Sequence, residues 1–488
     1  MGRWRLVVVG CVAVLGLTGC TGEPETPAPT RVTHPRAAVP KDRDPEAVLA
    51  AVRQLDLCAV LATGMAATPG LPAAPARSVP FAPFGCEALQ GSTFSVSTAV
   101  EPFGSNARKA WPMRPLGGAR VYTRAGAGTC DAALPISFND AVTIRLRWVG
   151  APAEPCSLVE ALATSAVATL SDPAAGRIAP RWDACGVLRS AVRGERILTE
   201  EIGMDGCATD PVGLSFNLTG PPAADQPRTD KVGDVDVTIV QGASTDRGCA
   251  LTWLVGPPPA TADPTWDGRY AVLDGADCAR LKEIAAKAMT VLASTPPAEP
   301  APQQPLLYRT DEPDAPFPGA CAWILALRGQ HCEPYVDVKV PTGRAEVVRA
   351  AQADPNVHCA IAADAVRKYL GDQFVPVTQA DEDPHHAGEC VFAEPQRRVQ
   401  VAFSLWDESV AEIPDTQPVD QAQVRGHAGY AKRTDDYFEM WLGLTDNAED
   451  PGMVRFYLSD GGVGANDFID YTDKVAPILT DIMAAHLS

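Results

Sequence analysis

The sequence predicts an α+β fold made of repeated, disulfide-stapled modules, each a mostly antiparallel sheet packed against helices. Three observations support this class. Segments in which apolar and polar residues alternate, such as residues 142–148, recur along the chain and are typical of strands with one buried face. Helical patterns, with apolar residues three and four positions apart, precede and follow these strands. Cysteines recur in the same order among these elements, which favours disulfide bonds inside each module.

The chain begins with a segment typical of a bacterial export signal. Arg3 and Arg5 supply positive charge, and residues 6–17 form an apolar stretch shorter than the ~20 residues that span a bilayer. The following Leu17-Thr18-Gly19-Cys20 resembles a lipobox, at which a peptidase cuts before the cysteine and a diacylglycerol is attached to its sulfur. An ordinary signal peptide is the alternative, but the small residues before Cys20 argue against it. We therefore predict a lipoprotein signal peptide over residues 1–19 and a lipid on Cys20 that anchors the protein outside the cell membrane.

Composition narrows the functional class. The chain has 488 residues, more than one hydrophobic core usually organises, so several domains are expected. Its formal net charge is −19, and −21 once Arg3 and Arg5 leave with the signal peptide. Such an acidic surface repels phosphate backbones, which disfavours nucleic acid as a partner. Hydrophobic residues make up 46% of the chain, so its body is expected to fold.

The cysteine count carries the strongest structural signal. Of 14 cysteines, 12 remain when Cys11 and Cys20 of the export signal are set aside. Export places them in an oxidising compartment, where disulfides persist. A zinc site is disfavoured because the sequence has no CxxC pair and no histidine at ligand spacing. We therefore predict six disulfides, with no metal and no cofactor.

Two Pro-rich stretches divide the chain. Residues 20–44 hold five prolines among Thr and charged residues, which predicts an extended, structureless tether. Residues 295–305 are equally Pro-rich and predict a linker. The pattern of helix, strands and helix then predicts module 1 over residues 45–172, module 2 over residues 173–294, and module 3, with an N-terminal extension, over residues 306–488.

Module 1 opens with one long helical pattern. It starts at Asp44-Pro45 and keeps Val48, Val52 and Leu55 on one face as far as Cys58. A Pro-rich loop then leads into a strand. The remaining predicted elements are the strand entered at Cys86, strands at residues 94–100, 121–124 and 142–148, and a closing helix from Pro155.

Module 2 repeats this order of elements. Asp183 and Cys185 start a short helix, and Gly206-Cys207 enters a strand. Alternation then predicts strands near residues 214–218, 235–239 and 251–255, before a closing helix from Asp277-Cys278.

Module 3 keeps only part of the order. Alternation over residues 336–340 predicts a strand, a helix follows through Cys359, and Gly388-Glu389-Cys390 enters another strand. Further strands are predicted at residues 399–405, 437–444 and 454–458, before a closing helix over residues 475–482. This module lacks the second cysteine pair of the other two.

The order of cysteines predicts local disulfides within each module, and each of the four in modules 1 and 2 ties a helix to a strand. Loops of this size contribute ~3 kcal/mol each in the chain-entropy model. Module 3 leaves an alternative open, since Cys321 could instead pair with Cys359. The predicted pairs are Cys58 with Cys86, Cys130 with Cys156, Cys185 with Cys207, Cys249 with Cys278, Cys321 with Cys332, and Cys359 with Cys390.

These motifs, in this order, resemble a known family. The chain has a leading D-x-C helix, a Gly-Cys strand, a third cysteine before a strand ending in Trp, and a P-C-x-x-x-x-A helix. This combination is similar to actinobacterial surface lipoproteins of unknown function, and to the extracellular sensor domains of actinobacterial Ser/Thr kinases. The resemblance implies small disulfide-bonded α+β modules, location in the cell envelope, and binding of a ligand or partner. It supplies no catalytic residue.

Several polar residues are candidates for a functional site. The acidic and His-rich stretch 381–386, with His385, could hold a divalent metal, but we interpret it as a solvated loop. Asp234 with Asp236 is better explained by an exposed strand edge than by a carboxylate pair. Asp435-Asp436 is interpreted as a hairpin, and His427 as an exposed turn residue, although it is the best histidine for a triad.

Aromatic residues and one sequon complete the candidates. The tryptophans of the strand patterns are interpreted as core packing, although a Trp at a strand end can also line a ligand groove. Asn217-Leu218-Thr219 matches a glycosylation sequon, which a bacterial lipoprotein would seldom use. The tryptophans are Trp148, Trp253, Trp323, Trp406 and Trp441.

The favoured function is a lipid-anchored, non-catalytic surface protein that binds or senses an envelope ligand or protein. One alternative is the solute-binding component of an importer, which would have parallel βαβ lobes and a hinge. The other is a hydrolase with an unrecognised site, since catalytic groups can assemble from distant residues.

The lipobox generates the first prediction. Replacing Cys20→Ser should release the protein to the medium, because the acyl chains that hold it to the membrane are attached to that sulfur. Metabolic labelling with a fatty acid, followed by fractionation of cells and medium, measures this. A wild-type protein that takes up no label contradicts the prediction.

Overall fold

The architecture was determined from a computed structural model. It describes residues 30–150, 154–173, 175–198, 204–220, 228–241, 248–296, 301–324, 331–380, 388–416, 418–460 and 469–487. Cys20 and the stretch 381–386 therefore lie outside the described residues. The described part has the predicted α+β class, with three antiparallel sheets packed against helices.

The first sheet belongs to residues 45–172. Its helices are α1 (Pro45–Arg53), α2 (Leu57–Ala67), α3 (Ser105–Ala110) and α4 (Pro155–Ser171). Its strands are β1 (Arg77–Val79), β2 (Ala82–Gln90), β3 (Phe94–Pro102), β4 (Met113–Leu116), β5 (Ala119–Gly126), β6 (Thr129–Pro135) and β7 (Asp140–Trp148).

The second sheet belongs to residues 173–294. Its helices are α5 (Ala184–Ala191) and α6 (Cys278–Leu292). Its strands are β8 (Gly206–Ala208), β9 (Gly213–Asn217), β10 (Arg228–Val232), β11 (Val235–Gln241), β12 (Cys249–Gly256) and β13 (Arg269–Gly275).

The third sheet belongs to the rest of the chain. Its helices are α7 (Arg344–Ala353), α8 (Pro355–Leu370), the short α9 (Ile413–Thr416) and α10 (Thr472–His486), with 3-10 turns at Gly319–Trp323 and Val410–Glu412. Its strands are β14 (His331–Pro334), β15 (Val375–Ala380), β16 (Glu389–Ala393), β17 (Val399–Ser409), β18 (Asp420–Val424), β19 (His427–Arg433), β20 (Tyr437–Gly443) and β21 (Pro451–Asp460).

The three sheets have the same connectivity. The first has the order β1-β2-β3-β7-β6-β5-β4, and the third has β15-β16-β17-β21-β20-β19-β18, with β14 added at one edge. The second, β8-β9-β13-β12-β11-β10, matches them without the first strand. In each sheet the last strand in sequence pairs with the strand that precedes the other hairpin strands: β7 with β3, β13 with β9, and β21 with β17. One face then packs on a pair of helices: α2 with α4, α5 with α6, and α8 with α10.

The D-x-C motifs have a local explanation. Asp56 and Asp183 are the N-caps of α2 and α5, and each carboxylate accepts the backbone N–H three residues later, at 3.0 and 2.6 Å. The cysteine two positions after the cap therefore lies in the first helical turn, where Cys58 and Cys185 are buried against the sheet. In α8 the cap is Asp354, and Cys359 lies a full turn further along.

All six predicted cysteine pairs lie at disulfide distance. Their Cα–Cα separations run from 4.9 to 5.8 Å, within the range that a disulfide requires. The open alternative in module 3 is resolved in the structure as Cys321 with Cys332 and Cys359 with Cys390.

The predicted opening helix is wrong as a single element. α1 ends at Arg53 and α2 starts at Leu57, because the intervening backbone pairs with another segment. The N–H of Asp56 donates to Gly176 O at 2.8 Å, and that of Ile178 donates to Gln54 O at 2.8 Å. A helix running through this point would lose both bonds.

The described part of the predicted tether is packed, not free. The backbone N–H of Val32 donates to Ala353 O at 2.9 Å, and His34 Nε2 lies 2.8 Å from Asp354 Oδ2. Further along, Asp42 accepts hydrogen bonds from the Phe138 N–H at 3.1 Å and the Tyr308 hydroxyl at 2.7 Å. Residues 30–44 therefore contact both module 1 and module 3.

The N-terminal extension of module 3 packs on module 1. Leu306 and Leu307 belong to the core of the first two modules, and the Arg120 N–H donates to Tyr308 O at 2.9 Å. The predicted strand at residues 336–340 is wrong: the strand is β14, which pairs with β15 and ends at Pro334. Alternation alone misplaced it because these residues make partial core contacts without a ladder partner.

A buried charge network joins module 1 to this extension. Asp314 Oδ2 accepts from Arg108 Nη1 and from the Tyr122 hydroxyl, both at 2.8 Å, and all three side chains are at most 1% exposed. Arg120 lies 3.5 Å from the other oxygen. From module 3, Arg397 donates to Ala322 O at 2.6 Å and lies over the Tyr122 ring. Around Tyr122 the second face of the first sheet is thus covered by module 3 and its extension. Further along β7, Arg145 and Arg147 of the same face are exposed.

The disulfides generate the second prediction. Peptide mapping of the unreduced protein should recover the six pairs and no others, because each pair has its cysteines at bonding distance inside one module. Recovery of a peptide that crosslinks the first module to the second would refute both the pairing and the module boundaries.

His358 generates the third prediction. It is fully buried in α8, where its Nδ1 accepts the Leu405 N–H at 3.1 Å, and burial lowers its pKa from 6.5 to about 4. Above pH 6.5 the side chain is neutral whether folded or unfolded. Below that pH the unfolded chain takes up the proton first, so the free energy of unfolding should fall by roughly 3 kcal/mol as the pH drops to 4.

The check is denaturant unfolding at several pH values. His358→Asn keeps an acceptor near the position of Nδ1 but does not titrate, so its stability should decline less steeply between pH 6.5 and 4. Parallel curves for the two proteins would exclude a role for His358 in the acid sensitivity.

Candidate ligand-binding site

A cleft lies at the junction of the first two modules, and we call it the junction cleft. Its volume is about 380 Å³, within the range of small-molecule sites. It is lined by residues of module 1, of the connector between α4 and α5, and of module 2. The lining residues are Asp56, Leu57, Cys58, Ser78, Pro83, Phe84, Gly85, Ile178, Arg181, Pro257, Pro259, Ala260, Thr261 and Arg269.

A buried ion pair sets the spacing of the two modules. Arg53 at the end of α1 donates from Nε to Asp183 Oδ2 at 2.7 Å and from Nη2 at 2.5 Å, and both side chains are less than 9% exposed. Asp183 is also the N-cap of α5. Gly186 permits this approach, because a Cβ there would lie 2.8 Å from the Asp183 carboxylate.

Three further contacts close the junction around the cleft. The hydroxyls of Ser78 and Thr261 lie 2.8 Å apart, the N–H of Phe84 donates to Asp205 Oδ1 at 2.9 Å, and the N–H of Leu218 donates to Pro80 O at 2.8 Å. The cleft therefore has walls from both modules that are tied by hydrogen bonds. Such a site is largely pre-formed, which reduces the entropy lost when a ligand binds.

Two arginines supply the charge of the cleft. Arg181 donates from Nη2 to Leu55 O at 2.9 Å, and its guanidinium lies 4.1 Å above the Phe84 ring. Arg269 opens β13, with its guanidinium 6.0 Å from the Phe216 ring. The Nε atoms of both are buried and have no hydrogen-bond partner among the described residues.

Both arginines remain cations at neutral pH. Burial lowers the pKa of Arg181 to about 10. The nearby negative charge of Asp205 acts against this shift, and the positive charge of Arg269 adds to it. Burial likewise lowers the pKa of Arg269. Two like charges are thus held close together in a partly desolvated place, which is unfavourable unless an anion compensates them.

The acidic groups of the cleft compensate only in part. Asp56 lines it, but its carboxylate is engaged in capping α2. Burial raises the pKa of Asp205 to about 7. The hydrogen bond from the Phe84 N–H and the charge of Arg181 each lower this pKa, but their effect is smaller than that of burial. At neutral pH this carboxyl is therefore protonated in a substantial part of the molecules, and the cleft keeps an excess of positive charge.

The lining favours binding chemistry. Arginine is not a proton acceptor in proteins, and the Ser78 hydroxyl is hydrogen-bonded to Thr261 instead of to a base. The walls offer apolar surface from Leu57, Ile178 and the prolines. A site with an apolar body and a few convergent polar groups is typical of small-ligand recognition.

The residues singled out in the sequence do not converge here, with the exception of Cys58, whose disulfide lines the cleft. His427 begins β19, is half-buried, and its Nδ1 lies 3.1 Å from Gly443 O. Asp236 is 73% exposed and 3.6 Å from Lys231 Nζ, while Asp234 lies in the turn before β11. Asp435 and Asp436 form the predicted hairpin turn.

The predicted tryptophans differ in burial. Trp253 and Trp441 are core residues, at 3% and 2% exposure. Trp148 packs edge-on against Phe94, with ring centroids 5.3 Å apart. Trp323 and Trp406 are half-buried, and the Trp406 ring lies under the guanidinium of Arg455. Asn217 ends β9, and its buried Oδ1 has no hydrogen-bond partner among the described residues.

Sequence reasoning missed Arg181 and Arg269. The signal available was their setting near a Trp and a predicted or observed element. Arg181 lies two residues before Asp183, the N-cap of α5, and Arg269 is the first residue of β13. Their separation by 88 positions gives no motif spacing, so only the packing of the two modules brings them together.

Comparisons with known proteins add no family. No family model, curated protein or solved structure matched this chain. Across the described ranges, no group of three or more His, Cys, Asp or Glu side chains is placed to hold a metal. Over the same ranges, no helix combines the length and apolar character needed to cross a membrane.

Proposed function

We propose that this chain is a cell-envelope protein, held at the membrane by a lipid on Cys20, which binds a small ligand in the junction cleft without converting it. The observation that carries the proposal is the cleft itself, with two arginines and apolar walls brought together from separate modules. The lipobox supports the location, and the order of cysteine motifs supports the resemblance to actinobacterial surface lipoproteins.

The rigidity of the junction supports a receptor over a transporter component. Importer solute-binding proteins need a hinge between parallel-stranded lobes, whereas the sheets described here are antiparallel. The buried Arg53–Asp183 pair, which joins the two modules, further opposes hinge closure.

The fourth prediction tests binding at the cleft. A small-molecule extract of the cell envelope should raise the melting temperature of the mature Cys20→Ser chain, because a ligand that binds only the folded state stabilises it. Adding Ala260→Trp should abolish the rise, since the larger side chain fills the cleft. Differential scanning fluorimetry on extract fractions provides the measurement.

The matched control is Ala73→Trp, which adds the same side chain at an exposed loop position outside the lining. It should respond as the parent chain does. Equal shifts in the parent and the Ala260→Trp chain would place binding elsewhere. Mass spectrometry of the bound fraction tests the second half of the proposal, because recovery of a chemically altered compound would mean turnover.

A further inference from the structure

The charge of the junction cleft points to a ligand class. Arg181 and Arg269 contribute two positive charges to the lining, and Asp56 contributes one negative charge. The lining thus carries an excess of one positive charge. Asp205, which accepts the N–H of the lining residue Phe84, has its pKa raised to about 7 by burial. A ligand with a single negative charge would balance this excess, whereas a dianion would leave a net negative charge beside two carboxyl groups.

The unpaired hydrogen-bond donors of the two arginines also favour an anionic ligand. Arg181 donates from Nη2 to Leu55 O at 2.9 Å, and the buried Nε atoms of Arg181 and Arg269 have no hydrogen-bond partner among the described residues. Both arginines line the cleft and are partly buried. Guanidinium groups bind carboxylates through two parallel hydrogen bonds, and partial desolvation strengthens such bonds.

The remaining walls define the other end of the ligand. Pro83, Pro257, Pro259 and Ile178 line the cleft and offer only apolar side-chain surface. A bare inorganic anion would leave this surface in contact with water. An organic acid with an apolar body would cover it and gain the free energy of burying that area.

We propose that the junction cleft binds a small organic monoanion, a carboxylate with an apolar body, whose head group lies between the guanidinium groups of Arg181 and Arg269. The inference rests on the proposed function, because it names the ligand class of the same cleft. It requires no conformational change, since the two arginines already share the cleft.

The fifth prediction uses defined probes and isothermal titration calorimetry on the mature Cys20→Ser chain. Phenylacetate should bind at least about tenfold more tightly than its neutral amide phenylacetamide, because only the acid accepts charge-assisted hydrogen bonds. It should also bind more tightly than acetate, which lacks the apolar body, and than inorganic phosphate, which lacks the body and carries more charge.

Two variants assign the effect to the arginines. Arg269→Gln should weaken phenylacetate binding by about tenfold or more. It should leave the melting temperature of the free protein near its parent value, since the buried Nε of Arg269 has no hydrogen-bond partner among the described residues. Arg181→Gln should weaken phenylacetate binding similarly. Arg147→Gln removes the same charge from an exposed strand position and should leave the affinity unchanged.

Each other outcome overturns the inference in a distinguishable way. If phenylacetamide binds as well as the acid, or if Arg269→Gln has no effect, the cleft binds a ligand of another class and the proposed function stands. If phosphate binds most tightly, the organic carboxylate assignment is wrong. If neither the probes nor any envelope fraction binds in a manner sensitive to Ala260→Trp, the ligand class and the proposed function both fail.

Discussion

The buried pair between Arg53 and Asp183 is the constraint on which the junction depends. Desolvating two charges costs several kcal/mol each, and a buried pair compensates this only when its hydrogen bonds are well formed. Here the arginine donates twice to one carboxylate oxygen, while the other oxygen accepts the N–H of Gly186 and so starts α5. One side chain therefore caps a helix of module 2 and holds module 1 against it. Loss of either partner would leave an uncompensated buried charge and loosen both walls of the cleft.

Local chemistry explains why so much of the fold was predictable. A strand such as β7 has a strict alternation because one face meets α4, and the aspartates before Cys58 and Cys185 are caps whose geometry is complete within four residues. These features depend on neighbours in sequence. The antiparallel class and the helix-to-strand cysteine pairs follow from them.

The sequence predictions that were wrong share a different cause: each segment contacts a partner that is far away in the sequence. The opening helix breaks because residues 54–56 pair with residues 176–178, and β14 ends at Pro334 because its ladder partner is β15. The described part of the tether is packed because Asp42 accepts hydrogen bonds from the Phe138 N–H and the Tyr308 hydroxyl. Arg181 and Arg269 belong to the same group, since nothing local in either segment indicates that the other guanidinium lies beside it. Periodicity and caps predict elements, but they do not predict which elements meet.

The packed tether also bears on how the proposed receptor would be presented. Val32, 12 positions after Cys20, is bonded to the body of the protein through Ala353. A fully extended chain of that length spans at most about 40 Å, so a lipid on Cys20 would keep the body close to the membrane instead of on a long flexible stalk. Residues 30–44 contact modules 1 and 3 at once, and Asp314 with Arg108 joins the same two parts of the chain in the interior. The anchor would therefore connect to the rigid side of module 1 formed with module 3, whereas the junction cleft is formed with module 2. Ligand binding at the cleft would then leave the anchored contacts undisturbed, which suits a receptor that presents a fixed site near the membrane surface.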